Sequence, residues 1–162
     1  MSRAECLASI ELPSDNSVVR ESATDEAAID EIARLFFAAF DNRSGKPDID
    51  GLRALFIDGA VIVKVASGKP QVMSVEAFIT PREALLTGGV LTDFHEWEEQ
   101  ATTSVFGGIA WRHCTYRKSG TMNGAAFSGA GMKVISFALS NGHWKIASVL
   151  WQDEEEGVQV RP

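Results

Sequence analysis

The chain has 162 residues, of which 45% are hydrophobic and 23% are charged, and its net charge is −7. A chain of this length corresponds to one domain, or one domain with a tail, and can bury a core without disulfides or a metal. The negative charge argues against nucleic acid or an anionic membrane as a partner, because both attract positive surfaces, and no apolar run approaches the ~20 residues of a membrane span.

The N-terminal residues 1–22 mix polar, charged and proline residues without a period, so we interpret them as a leader that need not be ordered. They contain no apolar run long enough for a signal peptide, which indicates a cytoplasmic protein. The domain is expected over residues 23–156, followed by a tail at 157–162. Cys6 lies in the leader and Cys114 in a predicted strand, so no disulfide is expected.

Two helices are predicted to open the domain. Thr24, followed by acidic residues, is expected to cap the first helix, which should end near Asn42, ahead of Gly45 and Pro47. Asp48 is expected to cap a short second helix. The apolar residues of the first helix recur at helical spacing and are Ile29, Ile32, Ala33, Phe36, Phe37 and Phe40.

A strand and a third helix are predicted next. A turn at Asp58-Gly59 precedes the run AVIVKVA at 60–66, whose β-branched residues favour a strand. Thr80 then provides a capping residue, Pro81 a first-turn proline, and a glutamate follows at the capping-box distance. Gly88-Gly89 is expected to end this helix.

From residue 90 onward no helical period remains, and the pattern predicts four strands. They cover 90–105, 109–118, 131–140 and 143–152, and are separated by Gly107-Gly108, a Gly- and Ser-containing stretch at 119–129, and Asn141-Gly142. Asn-Gly between two β-rich segments is typical of a tight hairpin. Helices followed by hairpin-connected strands indicate an α+β domain with an antiparallel sheet. Gly129 and Gly131 are expected to form a bulge that bends this sheet.

The last hairpin has a predicted register. A turn at Asn141-Gly142 sets Trp144 opposite Leu139, Ile146 opposite Phe137, Ser148 opposite Ile135 and Leu150 opposite Lys133. The bulky face of this hairpin should lie against the helices. The other face would carry Val134, Ser136, Ala138, Ala147, Val149 and Trp151. A bare face of this kind would be a large apolar patch, so a second copy of the chain is expected to cover it.

The order of these elements resembles that of the NTF2-like superfamily, also called SnoaL-like or cystatin-like, over about residues 25–155. The segments that carry the resemblance are ALFIDGA at 54–60 and HWKIASVLWQDE at 143–154, while FITPREALLTGGVLTDFHEWE at 78–98 is similar to an uncharacterised bacterial branch. The resemblance implies a cone in which N-terminal helices pack in the concave face of a strongly curved antiparallel sheet. It further implies a homodimer and a small-ligand cavity. The superfamily includes isomerases, dehydratases, epoxide hydrolases and proteins without a known reaction, so the fold alone does not decide function.

Ketosteroid isomerase chemistry, found in one branch of the superfamily, can be tested against the sequence. It requires a carboxylate base, a tyrosine and a protonated aspartic acid. Counted from the block at 54–60, the tyrosine position falls on Phe36, the base on Lys64 and the acid on Ile135. None of these side chains can supply the required group, so we predict that the chain is not a ketosteroid isomerase.

Lys64 is the most informative candidate for chemistry. If its strand faces as the resemblance implies, the lysine points into an apolar cavity beside Ile62. A buried lysine can act as a base or an amine nucleophile, bind an acidic ligand, or extend its ammonium group to solvent at the cavity mouth. These three alternatives remain open on sequence grounds.

The histidines and acidic runs carry less information. The Gly107-Gly108 turn places His113 near Ala101 or Thr102, away from His95, so no shared metal site is predicted. His143 falls in the last hairpin turn and is expected to be solvated. The acidic residues at 93–99 should form a solvated sheet edge and those at 153–156 a solvated end.

The leading hypothesis is a homodimeric protein whose cavity binds a small, largely apolar molecule, with or without metal-independent acid–base catalysis of the isomerase, lyase or hydrolase type. The residues expected to line the cavity are Phe36, Phe40, Ile62, Lys64, Ile135 and Phe137. Lys64 and His113 are the candidate catalytic residues, and no cofactor or metal is predicted. The alternative is a non-catalytic dimerisation or interaction module with a side-chain-filled cavity, which the aromatic series at 36–40 favours.

Overall fold

Three helices and six strands form the domain. The structure, a computed structural model, describes residues 15–161, with side chains from residue 23 onward. The elements are α1 (Asp15–Ala38), α2 (Ile49–Ala54), β1 (Phe56–Ala66), β2 (Lys69–Ser74), α3 (Val75–Thr87), β3 (Leu91–Phe106), β4 (Ile109–Met122), β5 (Ala125–Ser140) and β6 (His143–Asp153). The strands form one sheet in the order β2-β1-β6-β5-β4-β3. Only the β1–β6 pair is parallel within this described sheet, which confirms the predicted α+β class.

The core lies between the helices and one face of the sheet. Phe36 of α1 meets Phe37 and Phe40 edge-to-face, with ring centroids 5.5 and 5.6 Å apart. On the facing strands Ile135, Phe137 and Ile146 are fully or almost fully buried, as the predicted bulky face requires. Burying a side chain of this size stabilises a fold by about 1.5–3 kcal/mol. The aromatic stripe of α1 is therefore a main source of the core's stability.

Two polar residues tie the helices to the sheet. Asn42, just after α1, donates to the carbonyls of Leu86 and Leu91 at 3.0 and 2.7 Å and accepts from the backbone N–H of Phe94 at 2.8 Å. This one amide joins the ends of α1 and α3 to the start of β3. The last strand is also attached to α1, because the indole N–H of Trp144 donates to the Asp25 carboxylate at 2.9 Å.

The helix boundaries differ from the prediction in two places. Helix α1 begins at Asp15, so Thr24 lies inside it and does not cap it. The other part of the predicted leader, residues 1–14 with Cys6, lies outside the described residues. Helix α3 is capped by Ser74, whose hydroxyl accepts from the backbone N–H of Ala77 at 3.1 Å. Pro81 therefore lies inside α3, and the Thr80 cap was wrong because Ser74 supplies an equivalent oxygen one and a half turns earlier.

The strands are also longer and more numerous than predicted. Edge strand β2 was missed because it is short, exposed and contains Pro70, features that resemble a loop. The stretch 119–129 is not a separating loop, since β4 and β5 continue through it to a tight turn at Asn123 and Gly124. Both turn residues have positive φ, 50° and 81°, as such a turn requires.

The predicted register of the last hairpin holds only near its turn. Ile146 lies opposite Phe137 as predicted, but Ser148 lies opposite Ser136 instead of Ile135, because Ala147 is an extra residue in β6. Beyond this bulge the alternation of faces is inverted. Val149 and Trp151, predicted on the outer face, are buried on the inner face. Leu150 correspondingly lies opposite Val134, not Lys133, and faces outward.

Gly131 does not form the bulge that was predicted for it, since it pairs regularly with Tyr116. Its function is steric. A Cβ at position 131 would overlap the Tyr116 hydroxyl and the carbonyl oxygen of Gln152, neither of which can move away without disturbing the sheet. A glycine is therefore required where the buried Tyr116 ring crosses the next strand.

We predict that Gly131→Ala lowers the free energy of unfolding by about 1–3 kcal/mol or more, the range for an overpacked interior. Gly129→Ala is the matched control, because its added methyl meets only the flexible Lys118 side chain, with Cε at 3.0 Å. The measurement is urea unfolding of both variants. Equal stabilities would contradict the steric role assigned to Gly131.

Candidate functional site

A cavity of about 340 Å³ lies between α1, α3 and the concave face of the sheet. Residues from the two helices and from every strand except β2 contribute to its wall. The lining residues are Phe36, Phe40, Lys64, Phe78, Pro81, Arg82, Leu85, Leu86, Leu91, Phe94, Glu96, Lys118, Met122, Phe127, Lys133, Val149, Trp151 and Asp153. Most are apolar, and six carry charge.

The apolar part of the wall is held rigid by aromatic contacts. Phe78 of α3 meets Phe40 and Trp151 edge-to-face, with centroids 5.9 and 5.6 Å apart. On the strand side Phe94 stacks on Phe127 at 6.3 Å. Such pairs add about 0.5–1.5 kcal/mol each beyond the burial of their area, so this part of the wall is well ordered.

Asp153 joins three of the polar groups at the cavity. It accepts from the Tyr116 hydroxyl at 2.5 Å and from the Lys118 ammonium at 2.6 Å, and the Lys64 ammonium lies 3.3 Å away. Burial opposes ionisation of Asp153, but the hydrogen bonds from Lys118 and Tyr116 outweigh it and lower the pKa of the carboxyl to about 2. Burial and this same hydrogen bond raise the pKa of Tyr116. At neutral pH Asp153 is therefore a fixed negative charge and Tyr116 a fixed donor.

Lys133 and Glu96 form a second, deeper pair. Their charged atoms are 2.7 Å apart, and the side chains are 6% and 11% exposed. The Lys133 ammonium also lies 3.4 Å from the centroid of the Tyr116 ring. Desolvation by burial lowers the pKa of Lys133 although Glu96 opposes this effect. This pair is a largely buried ion pair of the cavity wall.

Arg82 completes the charged end of the cavity from the helix side. Its guanidinium lies over the rings of Phe78 and Trp151, at 4.0 and 5.4 Å from their centroids. Lys64 and Lys133 lie 5.9 and 5.7 Å from the same Trp151 ring. Trp151 is thus surrounded by three cations, since the negative face of an indole attracts positive charge.

The residues that were predicted to line the cavity are divided between it and the core. Phe36, Phe40 and Lys64 line the cavity. Ile62, Ile135 and Phe137 are buried in the hydrophobic core and do not contribute to the cavity wall.

The histidines lie away from the cavity. His113 pairs with Thr102, as the hairpin predicted, and is exposed on the outer face of the sheet, so it cannot act in the cavity. His95 stacks on Trp97 at 4.5 Å and lies 3.3 Å from the Ser119 hydroxyl. Neither ring is part of the wall.

Several charged wall residues were missed or misplaced by the sequence analysis. Asp153 was interpreted as solvated, and Glu96 as part of a solvated edge, whereas both face the cavity. Lys133 could have been found, because the predicted register already placed it on the inward face with Ile135. Arg82 was hidden by the incorrect cap, which put it in a first helical turn.

The outlying acidic residues are also paired. Glu98 binds the buried Arg112 through two bonds of 2.7 Å, and Asp30 of α1 binds the same guanidinium at 2.6 Å. Glu99 binds Arg117 at 2.6 Å. Glu96 and Glu98 are two residues apart and lie on the same inward face of β3, so the solvated-edge prediction was wrong for both.

Within residues 23–161, no group of three or more His, Cys, Asp or Glu side chains has the geometry to hold a metal ion. Among the helices of the described chain, none combines the length and apolar character needed to cross a membrane. Cys114 is buried and unpaired, and burial raises the pKa of its thiol to about 12, so it is not a reactive thiolate.

Solved structures show the same fold. An NTF2-like protein of unknown function from Pseudomonas putida matches with a TM-score of 0.64 at 18% identity, over 81% of this chain and 87% of that one. A proposed dehydratase of the NTF2-like family from Streptomyces avermitilis matches at 0.65 and 16%, over 82% and 98%. A proposed aromatic ring hydroxylase from Novosphingobium aromaticivorans matches at 0.67 and 16%, over 80% and 89%.

Neither a protein-family model nor a curated protein matches this chain. The structural matches, at identities well below 25%, establish the NTF2-like fold that the sequence resemblance implied. They leave the function to be argued from the site.

We predict that Asp153→Asn lowers the free energy of unfolding by about 2 kcal/mol at pH 7. The folded-state pKa of Asp153, about 2, lies below its ordinary value of 3.8. The ionised carboxylate therefore stabilises the fold fully at pH values well above 3.8, and this stabilisation is lost as the pH falls from 3.8 towards 2. Urea unfolding from pH 7 to pH 3 should show a difference that is constant down to about pH 4.5 and then shrinks. Asp50→Asn, at a 98% exposed carboxylate paired with Arg53, should change stability little at any pH.

Proposed function

We propose that the protein binds a small, largely apolar organic molecule in the cavity between α1, α3 and the sheet. The observation that carries the proposal is a cavity of about 340 Å³ with a mostly apolar wall and charged groups gathered around one ring, Trp151. Ligand sites commonly occupy about 300–1,000 Å³ and combine an apolar lining with a few polar groups that orient the ligand.

The alternative of a side-chain-filled interaction module is less well supported. The aromatic residues at 36–40 fill the core beneath α1, yet Phe36 and Phe40 still border an empty volume. A wall made rigid by aromatic contacts does not collapse to remove such a volume. A largely apolar molecule bound there would replace solvent and bury the apolar wall.

Binding, not turnover, is the function proposed. The Asp153 carboxyl, with its pKa at about 2, does not exchange a proton near neutral pH, and the raised pKa of Tyr116 excludes that phenol as a base. The Glu96–Lys133 pair is the couple on which metal-independent acid–base catalysis would depend. Its two charges already neutralise each other at 2.7 Å.

We predict that Leu85→Trp, which fills the cavity from α3, abolishes ligand binding without unfolding the protein, because Leu85 is only partly buried and borders empty space. The measurement is a thermal-shift screen of small aromatic and aliphatic compounds, followed by calorimetry of those that stabilise wild type. Leu35→Trp, on the exposed side of α1, is the control and should bind normally. A screen in which no compound binds wild type would overturn the proposal.

We also propose that two copies of the chain associate through the outer face of the sheet. Exposed apolar side chains, here called the outer patch, occupy neighbouring positions on four strands: Val61, Trp111, Met132, Val134 and Leu150. Leu150 lies directly opposite Val134. Ser136 and Ser148 form the next pair along the same two strands, and their hydroxyls are hydrogen-bonded to each other at 2.6 Å. His113 also lies on this face, opposite Val134. An outer face dominated by exposed apolar side chains is suited to burial against an identical face.

The expected dimer has a corrected composition. Val134, Ser136 and Ala138 lie on the outer face as predicted, while Leu150 takes the place that was predicted for Val149 and Trp151.

We predict that Val134→Glu with Leu150→Glu converts a dimer to a monomer, because four carboxylates would be buried together in the interface. Light scattering measures the mass, and Leu35→Glu is the control. A wild-type mass of one chain would refute the association.

A further inference from the structure

We propose that the molecule bound in the cavity carries a single carboxylate, and that the Arg82 guanidinium binds it. The inference rests on the function proposed above and names the chemical class of the ligand. It follows from the free hydrogen-bonding capacity of Arg82, from the charge balance of the wall, and from the position of the apolar surface beside it.

Arg82 has donors without acceptors. Its guanidinium has five N–H bonds. One nitrogen donates to the carbonyl oxygen of Phe78 at 2.8 Å, and no other acceptor within residues 23–161 lies within hydrogen-bonding distance of the group. Cation–π contacts with Phe78 and Trp151 hold the guanidinium in place. Its remaining N–H groups are left available to a ligand.

Five other arginines of the chain are each paired with a carboxylate. The distance from guanidinium to carboxylate is at most 4.0 Å for Arg34, Arg43, Arg53, Arg112 and Arg117. For Arg82, no carboxylate among the residues with described side chains is within that distance, although the group lines the cavity. An arginine that is stacked and partly buried without an anion is suited to receive one.

The charge balance of the wall points the same way. Four cationic side chains, Lys64, Arg82, Lys118 and Lys133, face two carboxylates, Glu96 and Asp153. Glu96 is occupied by Lys133, and Asp153 is shared by Lys118 and Lys64. The wall therefore has an excess of two positive charges in a chain whose net charge is −7. If the Lys133 ammonium lost its proton, one excess charge would remain.

The unpaired charge is also costly. Desolvation by burial lowers the pKa of Arg82, and the carboxylates of Glu96 and Asp153 compensate for it only from a distance. A ligand carboxylate has two oxygens spaced to accept from two guanidinium N–H groups at once. It would neutralise the charge where the wall itself does not. An amide of the same shape would not, because it carries no net charge.

The rest of the ligand is defined by the apolar wall. Leu85 and Leu86 continue from Arg82 along α3, and Phe94 and Phe127 face them from the sheet. A molecule bound through its carboxylate at Arg82 would therefore lay an aromatic or aliphatic body on these residues. This arrangement favours a small aryl- or alkyl-carboxylic acid over a polar metabolite. The additional oxygens of a phosphate ester would have to compete for the lysines with Glu96 and Asp153, which already bind them.

The test compares matched pairs of compounds that differ only in charge. Phenylacetate, 4-phenylbutyrate and octanoate are measured by calorimetry at pH 7 against their primary amides, with wild-type protein. The carboxylates should bind about ten- to a hundredfold more tightly than the amides, the range for a charge-assisted pair of hydrogen bonds. Phenylphosphonate is a further arm, and tighter binding of it than of phenylacetate would overturn the assignment to carboxylates.

Variants identify the residue. Arg82→Met keeps the volume over Phe78 and removes the charge, so it should reduce carboxylate affinity to that of the amide. Unchanged amide affinity would show that the cavity is intact. Arg82→Lys retains charge without the two-pronged geometry and should recover part of the difference. Arg34→Met makes the same change on an exposed helix face and should leave all affinities unaltered.

The two proposals fail in different ways. If carboxylates and amides bind wild type equally, the carboxylate assignment is overturned while the cavity remains a ligand site. If neither series binds, the binding function fails and the carboxylate assignment fails with it. If carboxylates are preferred but Arg82→Met keeps the preference, the assignment to Arg82 is wrong.

Discussion

The extra residue at Ala147 decides which side chains of the last strand face the cavity. An undisturbed strand would alternate from Ile146 to Ser148, so Asp153 would face outward. The bulge inverts this order and brings Val149, Trp151 and Asp153 onto the concave face. Without Asp153, the ammonium groups of Lys64 and Lys118 would lose the carboxylate that they share at the cavity. The position of Asp153 in the cavity wall, and of the Trp151 ring beside it, depends on this one irregularity.

The inward-facing charged side chains differ in whether the protein itself supplies a partner of opposite charge. Arg112 is bound by two carboxylates and a threonine hydroxyl, and it connects α1 to β3 and β4. Lys133 is paired with Glu96, and Lys118 with Asp153. Each of these charges is satisfied by the protein itself. Arg82 contacts aromatic rings but no carboxylate among the residues with described side chains, and this difference is why we assign the ligand to it.

Much of this fold could be predicted because it follows from local patterns. The inward positions of Ile135 and Phe137 follow from alternation, and positive φ at Asn141 and Gly142 follows from turn chemistry. The bulge could not be predicted, because Ala147 carries no signal and a one-residue insertion inverts every later position. Asp153 was assigned to a solvated end because it follows residue 152, where the last strand was predicted to stop, whereas β6 extends through it. For Val149 and Trp151 the position along the strand was predictable, but the face was not.

The charged wall is not explained by the requirements of the fold. A buried ion pair such as Lys133 with Glu96 is often no more stabilising than apolar residues of the same volume, because desolvation offsets the attraction. Solved structures at 16–18% identity reach the same architecture, so much of the sequence can differ while the fold is kept. Cations gathered around Trp151 at a stability cost therefore call for another explanation. A ligand that brings the missing negative charge supplies it, since its binding would recover the free energy of desolvation that folding alone leaves uncompensated.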